Sequence, residues 1–306
     1  MLLSVRHMLI CAGLSLSLAG AAYPGQAEAR RDADKATHSV RKLSLRSAAA
    51  IVQDAETGEV LFDKNASSVT PIASITKLMT AMVVLDADLD LNEIITITSD
   101  DMDSLRGTHS RLKPGASLSR DELLRLALMA SENRAAAALG RTYPGGIETF
   151  LRAMNYKAQM LGMTDTHFDD ATGLSSGNVA SAEDLAKMVR AAHRYELIRD
   201  YTTTTGHDVQ VAGRHLAYHN TNRLVANDSW NIGLSKTGFT SDAGRCLVLQ
   251  AELAGRQVII VLLDSWGKLT RIGDANRIKV WLEANARPRG GSAHKAARED
   301  SKVAPG

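Results

Sequence analysis

The sequence predicts an α/β protein of the α+β kind, with one antiparallel sheet flanked by helices and an all-helical part inserted in its middle. Three observations point there. Strand signals stand at both ends of residues 45–285. Amphipathic helix patterns fill the centre. The last third then switches to consecutive apolar runs of strand length. With 306 residues, 44% of them hydrophobic, the chain has material for a full core.

The chain opens with Arg6 and His7 ahead of the apolar run "MLICAGLSLSLAGAA". That run is short for a membrane span and is followed by small-x-small sites at Ala19-Gly20-Ala21 and Ala27-Glu28-Ala29, so residues 1–29 read as a cleavable export signal with no stable membrane anchor. Residues 30–44, "RRDADKATHSVRKLS", read as a flexible leader, 45–286 as the folded domain, and 287–306 as a disordered tail. Cys11 goes with the signal. Cys246 is then alone in an apolar strand-like run and reads as core.

Within the domain, "AAAIVQDAETGEVLFDKNAS" predicts a hairpin turning near Glu56-Thr57-Gly58. A helix opens at Ser74 in "PIASITKLMTAMVVLD", with Met79 and Met82 in its core, and "EIITIT" at 93–98 reads as a strand. Ser119 and Glu122 form a capping box ahead of "RDELLRLALMA". After a break at Ser131-Glu132 come a short helix, "NRAAAALG", and a longer one, "IETFLRAMNYKAQMLG", stopped by Gly162. "SAEDLAKMVRAAHRY" is a helix capped by Ser181. "IGLSKTGF", "GRCLVLQAEL" and "RQVIIVLLDS" predict three strands, the last two joined at Ala254-Gly255. An amphipathic helix at about 269–285 closes the domain, its apolar residues being Ile272, Ile278, Val280 and Leu282.

A formal charge of +2, 4% aromatic residues and no basic stripe interleaved with aromatics exclude a nucleic-acid partner. No phosphate loop or dinucleotide fingerprint occurs. His215 and His219 have i,i+4 metal spacing, but "VAGRHLAYHN" is not helical and lacks the glutamate of a zinc protease, so they read as hairpin histidines. Neither a metal nor an organic cofactor is implied.

Chemistry concentrates at Ser74 and Lys77. A serine hydroxyl is a weak nucleophile until a base takes its proton. Lysine serves as that base where desolvation and nearby positive charge depress its pKa. A helix start places residues three apart on one face and adds a dipole that disfavours the cation. S-x-x-K also occurs at Ser39/Lys42 and Ser265/Lys268, but only Ser74 opens an apolar helix. S-x-N occurs at Ser131-Glu132-Asn133, Ser176-Gly177-Asn178 and Ser229-Trp230-Asn231. The first lies between two helices, where a turn can project both side chains into a cleft, and the others read as surface loops. Lys236-Thr237-Gly238 ends an apolar strand once, offering a charge and a hydroxyl to a carboxylate beside a glycine that lets a substrate backbone approach.

In that order, with secretion added, the three motifs are the signature of penicillin-binding proteins and class A β-lactamases. The domain resembles the low-molecular-mass penicillin-binding proteins of the D-alanyl-D-alanine carboxypeptidase/endopeptidase family, and "FDDATGLSSGNVASAEDLAKMV" and "KTGFTSDAGRCLVL" are similar to that family's segments. The resemblance implies the DD-peptidase/β-lactamase fold and an acyl-enzyme on Ser74 with Lys77 as base. It implies an oxyanion on the backbone N–H groups of Ser74 and Phe239. Ser131 and Asn133 would serve proton transfer and the substrate amide, and Lys236, Thr237 and Gly238 the terminal carboxylate. Expected partners are peptidoglycan muropeptides in the periplasm, β-lactams as inhibitors, and other wall enzymes. Asn178-Val179 and Phe239 stand where carboxypeptidase members tend to carry His-Tyr or His-Phe and His. With the short tail, these point to the endopeptidase branch, the carboxypeptidase being the alternative. A β-lactamase would need E-x-x-x-N between the second and third motifs, and Glu148 is followed four residues on by Arg152. A non-catalytic sensor would be expected to carry membrane helices and a signalling domain.

Overall fold

The computed structural model describes residues 43–211 and 213–286. The expected export signal, the expected leader up to residue 42 and the expected tail lie outside the described residues. Strand β1 (Ala49–Asp54) turns into β2 (Val60–Lys64), and β3 (Thr70–Pro71) leads into helix α1 (Lys77–Asp86). Strands β4 (Ile94–Thr96) and β5 (Ser117–Ser119) precede helices α2 (Arg120–Met129), α3 (Asn133–Arg141) and α4 (Gly146–Met160). Next come β6 (Val179–Ala180), α5 (Ala182–Ala192), α6 (Glu196–Thr203) and the hairpin β7 (Gly206–Val211)–β8 (Arg214–His219). Strands β9 (Asn231–Thr240), β10 (Gly244–Leu253) and β11 (Arg256–Ser265) and helix α7 (Thr270–Asn285) complete the domain.

The central sheet is antiparallel in the order β2-β1-β11-β10-β9, so the two ends of the domain sequence pair at its middle. Its strands read as nearly continuous apolar runs because both faces are covered. Alternation persists inside those runs. Ile51, Val248, Ile259 and Val261 face the helical core, whereas Val52, Leu247, Ile260 and Leu262 pack with Ala275, Ile278 and Leu282 of α7. The antiparallel sheet and flanking helices are as the sequence predicts. The middle is not wholly helical, since β4 pairs with β5 and β3 with β6.

The capping box is present: Ser119 Oγ accepts the Glu122 N–H, and the Glu122 carboxylate accepts the Ser119 N–H. Met79, Met82 and Cys246 are fully buried, and His215 and His219 lie exposed on a hairpin strand. Two expectations are corrected, and one helix is added. Val280 is 55% exposed, so it is not part of the buried stripe of α7. Helix α6 has no counterpart in the sequence reading, because "ELIRDYTT" ends in residues with weak helical preference and is held through buried Ile198 and Tyr201. The α-helix after β3 begins at Lys77 rather than Ser74, as a 3₁₀ turn occupies Ala73–Thr76. Among the described residues no helix is long and apolar enough to cross a membrane.

Candidate active site

The turn carrying Ser74 is shaped by what presses on it. Ala73 has φ +49°, in the left-handed region that disfavours side chains. Two glycines enforce this conformation by close approach. A Cβ on Gly173 would stand 2.0 Å from the Ala73 carbonyl oxygen, and one on Gly238 would stand 2.9 Å from the Ile72 oxygen and 3.2 Å from the Ser74 nitrogen. The turn is therefore clamped between the 165–178 loop and edge strand β9. Ser74 stays partly exposed while Ala73, Ile75 and Thr76 are buried.

Lys77, the first residue of α1, is completely buried. Its Nζ lies 2.9 Å from Ser74 Oγ, 2.8 Å from Asn133 Oδ1 and 2.6 Å from the Thr172 carbonyl oxygen. An ammonium donates to all three. A neutral amine keeps two N–H groups for Asn133 and Thr172 and turns its lone pair to the Ser74 hydroxyl. Burial pushes the Lys77 amine down to about 7, against the opposing carboxylates of Asp170 and Glu132. Desolvation thus leads, and the expected contribution from neighbouring positive charge is not what lowers it.

Ser131 and Lys236 form the facing wall. Ser131 has φ +60° in the turn between α2 and α3, and its Oγ accepts from Lys236 Nζ at 2.8 Å. Lys236 also donates to the Thr237 carbonyl at 2.9 Å, and the Thr237 and Thr221 hydroxyls meet at 2.6 Å. Burial holds the Lys236 amine well below its ordinary value, aided by the charges of Lys77 and Arg271. Gly238 lies against Ser74, and Phe239 is 56% exposed with the Arg245 guanidinium 4.3 Å from its ring centre. Hydrogen bonds thus join Lys77 to Ser74 and Asn133 and join Lys236 to Ser131 and Thr237, while Gly238 packs on Ser74 and Phe239 follows it in β9.

Asn178 corrects the reading of Ser176-Gly177-Asn178 as a surface loop, for it is completely buried. Its Oδ1 accepts the N–H groups of Asp169 and Asp170, and its Nδ2 donates to Thr76 Oγ1 and the Asp170 carbonyl. Asp170 in turn accepts from the N–H groups of Thr172, Gly173 and Ser175, aiming the Thr172 carbonyl at Lys77. Ser229-Trp230-Asn231 leads into β9 and takes no part in the cleft.

Asp170, Thr172 and Arg271 were not singled out in the sequence. Arg271 of α7 reaches through to the carbonyls of Gly238 and Cys246, at 2.8 and 3.0 Å, and supports the strand under Phe239. The available signal was the density of Asp, Thr, Gly, Ser and Asn over 169–178, which marks a structured turn as readily as a solvated one.

The family model described as D-alanyl-D-alanine carboxypeptidase, peptidase S11, matches residues 35–267. A D-alanyl-D-alanine endopeptidase of Pseudomonas aeruginosa is 48% identical over 243 residues, covering 78% of each chain. One from Escherichia coli is 44% identical over 241 residues with the same coverage. The crystal structure of the Streptomyces K15 DD-transpeptidase superposes with a TM-score of 0.74 at 28% identity, covering 79% of this chain and 99% of that one.

Proposed function

The chain belongs to the D-alanyl-D-alanine carboxypeptidase family of peptidases, and from that premise we propose that it is a periplasmic serine endopeptidase cleaving D-alanyl–diaminopimelate cross-links in peptidoglycan. The observation that carries the reading is the buried Lys77 amine held by Ser74 Oγ, Asn133 Oδ1 and the Thr172 carbonyl. An amine buried in this way and lowered in pKa is placed to take the proton of the hydroxyl beside it.

Ser74 Oγ attacks the D-alanyl carbonyl carbon as its proton passes to Lys77 Nζ. The oxyanion is received by the backbone N–H groups of Ser74 and Phe239, which the close packing of Gly238 on Ser74 supports. Collapse breaks the C–N bond, and the proton reaches the leaving amine through Ser131. Asn133 has a second Nδ2 hydrogen for the substrate amide carbonyl. Lys236 and Thr237 meet the carboxylate beyond the scissile bond. Water then attacks the ester, its proton taken by Lys77, and releases Ser74. A β-lactam enters by the same attack and becomes an ester on Ser74.

The endopeptidase branch rests on the two relatives at 44–48% identity. The export-signal pattern of residues 1–29 supports the periplasm, where such cross-links lie. Muropeptides containing both pentapeptide stems and cross-linked dimers, followed by mass spectrometry, test this reading. Dimers should become monomers while stems keep their terminal D-alanine. Loss of D-alanine with dimers intact would make the chain a carboxypeptidase.

A further inference from the structure

Thr108 has no part in the steps above, yet its hydroxyl sits on the Asn133 carboxamide. Asn133 Nδ2 donates to Thr108 Oγ1 at 3.1 Å, and Thr108 Oγ1 donates to Asp103 Oδ2 at 2.6 Å. The same carboxylate oxygen accepts the Thr108 N–H at 2.8 Å, and Oδ1 accepts those of Leu105 and Arg106 at 2.8 and 2.9 Å. Burial alone would raise the Asp103 carboxyl, but the hydroxyl and N–H donors of Thr108 and the N–H groups of Arg106 and Leu105 bring it down to about 2. The loop is tied to two other walls of the cleft. Arg106 donates to the Leu174 carbonyl at 2.6 Å and to Ser241 Oγ at 3.1 Å, and it pairs with Asp242.

These contacts have a fixed polarity. An ionised carboxylate only accepts, so the one hydroxyl proton of Thr108 goes to Asp103. Toward Asn133 the hydroxyl then offers only a lone pair. The carboxamide must present its NH₂ to Thr108 and its oxygen to Lys77. We propose that Thr108, oriented by Asp103, is a positioning residue that sets which way round the Asn133 carboxamide stands and thereby directs the Lys77 lone pair at Ser74. The inference rests on the functional reading above and deepens it.

A reversed carboxamide would put an N–H donor on the amine. That donor would take up the lone pair that Ser74 needs and would remove an acceptor that favours the ammonium. The other charged groups facing Lys77 are Glu132 from the turn before α3, Asp170 from the 165–178 loop and Lys236 from β9, and none of them changes with Thr108.

The test is stopped-flow acylation of the mature chain by a chromogenic β-lactam over a pH series, comparing wild type, Thr108→Val and Thr108→Ser. Thr108→Val should lower the plateau rate about 10²-fold. It should also move the acid limb to lower pH, while Thr108→Ser restores both. Asp103→Asn, which frees the hydroxyl to turn, should move both quantities in the same direction as Thr108→Val. A Thr108→Val enzyme with the wild-type plateau overturns the inference. So does a lowered plateau with an unmoved acid limb, which is the mark of damaged packing. A wild-type chain that is not acylated at all overturns the functional reading itself, and this assignment with it.

Discussion

Lys77→Met should lower the acylation rate of Ser74 by about 10³-fold at neutral pH, the scale of a lost general base. The methionine fills much of the same volume, so the turn at 73–76 and helix α1 stay in place and the loss is chemical. The variant should also reveal what the amine costs the fold. Burial pushes the Lys77 amine down to about 7 in the folded chain against an ordinary 10.5. Between those values the unfolded chain binds a proton that the folded chain has released, so wild-type stability rises with pH across that window. The gain is at most about 1.4 kcal/mol per pH unit, and it is absent from Lys77→Met. Urea denaturation of both chains across the window reads the difference directly. Parallel curves would mean that the folded amine is an ordinary ammonium, and it could not then be the base.

Gly173→Ala should cost more than about 4 kcal/mol or displace the nucleophile outright. The added carbon would sit 2.0 Å from the Ala73 carbonyl oxygen and 2.9 Å from the Ser74 nitrogen, both backbone atoms of a turn that is itself pinned. Its φ of +82° adds strain of its own. Gly115→Ala is the control. It has φ +90° with nothing within 4 Å, so it should cost only about 1 kcal/mol and leave acylation unchanged. Denaturation midpoints and acylation rates for the pair separate the clash from the backbone strain.

How far the site was legible depends on which residues carry it. Ser74, Lys77, Ser131 and Asn133 stand at local landmarks, namely a helix start and a break between helices, whereas Lys236-Thr237-Gly238, expected at a strand end, lies inside β9, which pairs with β10 as far as Thr240. Periodicity finds those landmarks from the sequence alone. Asp170, Thr172, Asn178 and Thr108 were not legible in this way. They lie in polar stretches, and no local pattern distinguishes a buried Asn178 with both amide ends satisfied from a solvated one. The same holds for the 3₁₀ turn at 73–76. Its sequence favours helix, and the close approach of Gly173 and Gly238 from distant segments decides otherwise. The two-faced sheet was legible because its strands are apolar on both sides, whereas the order that sets β1 beside β11 is a tertiary result.

The central claim is that Ser74 is the nucleophile, activated by the amine beside it. The most direct measurement is to incubate the purified protein with penicillin, digest it, and locate the adduct by mass spectrometry. The account predicts one penicilloyl group on the peptide containing Ser74, formed more slowly as pH falls below about 7, and none in Ser74→Ala. An adduct on another residue, or unchanged labelling of Ser74→Ala, would contradict it.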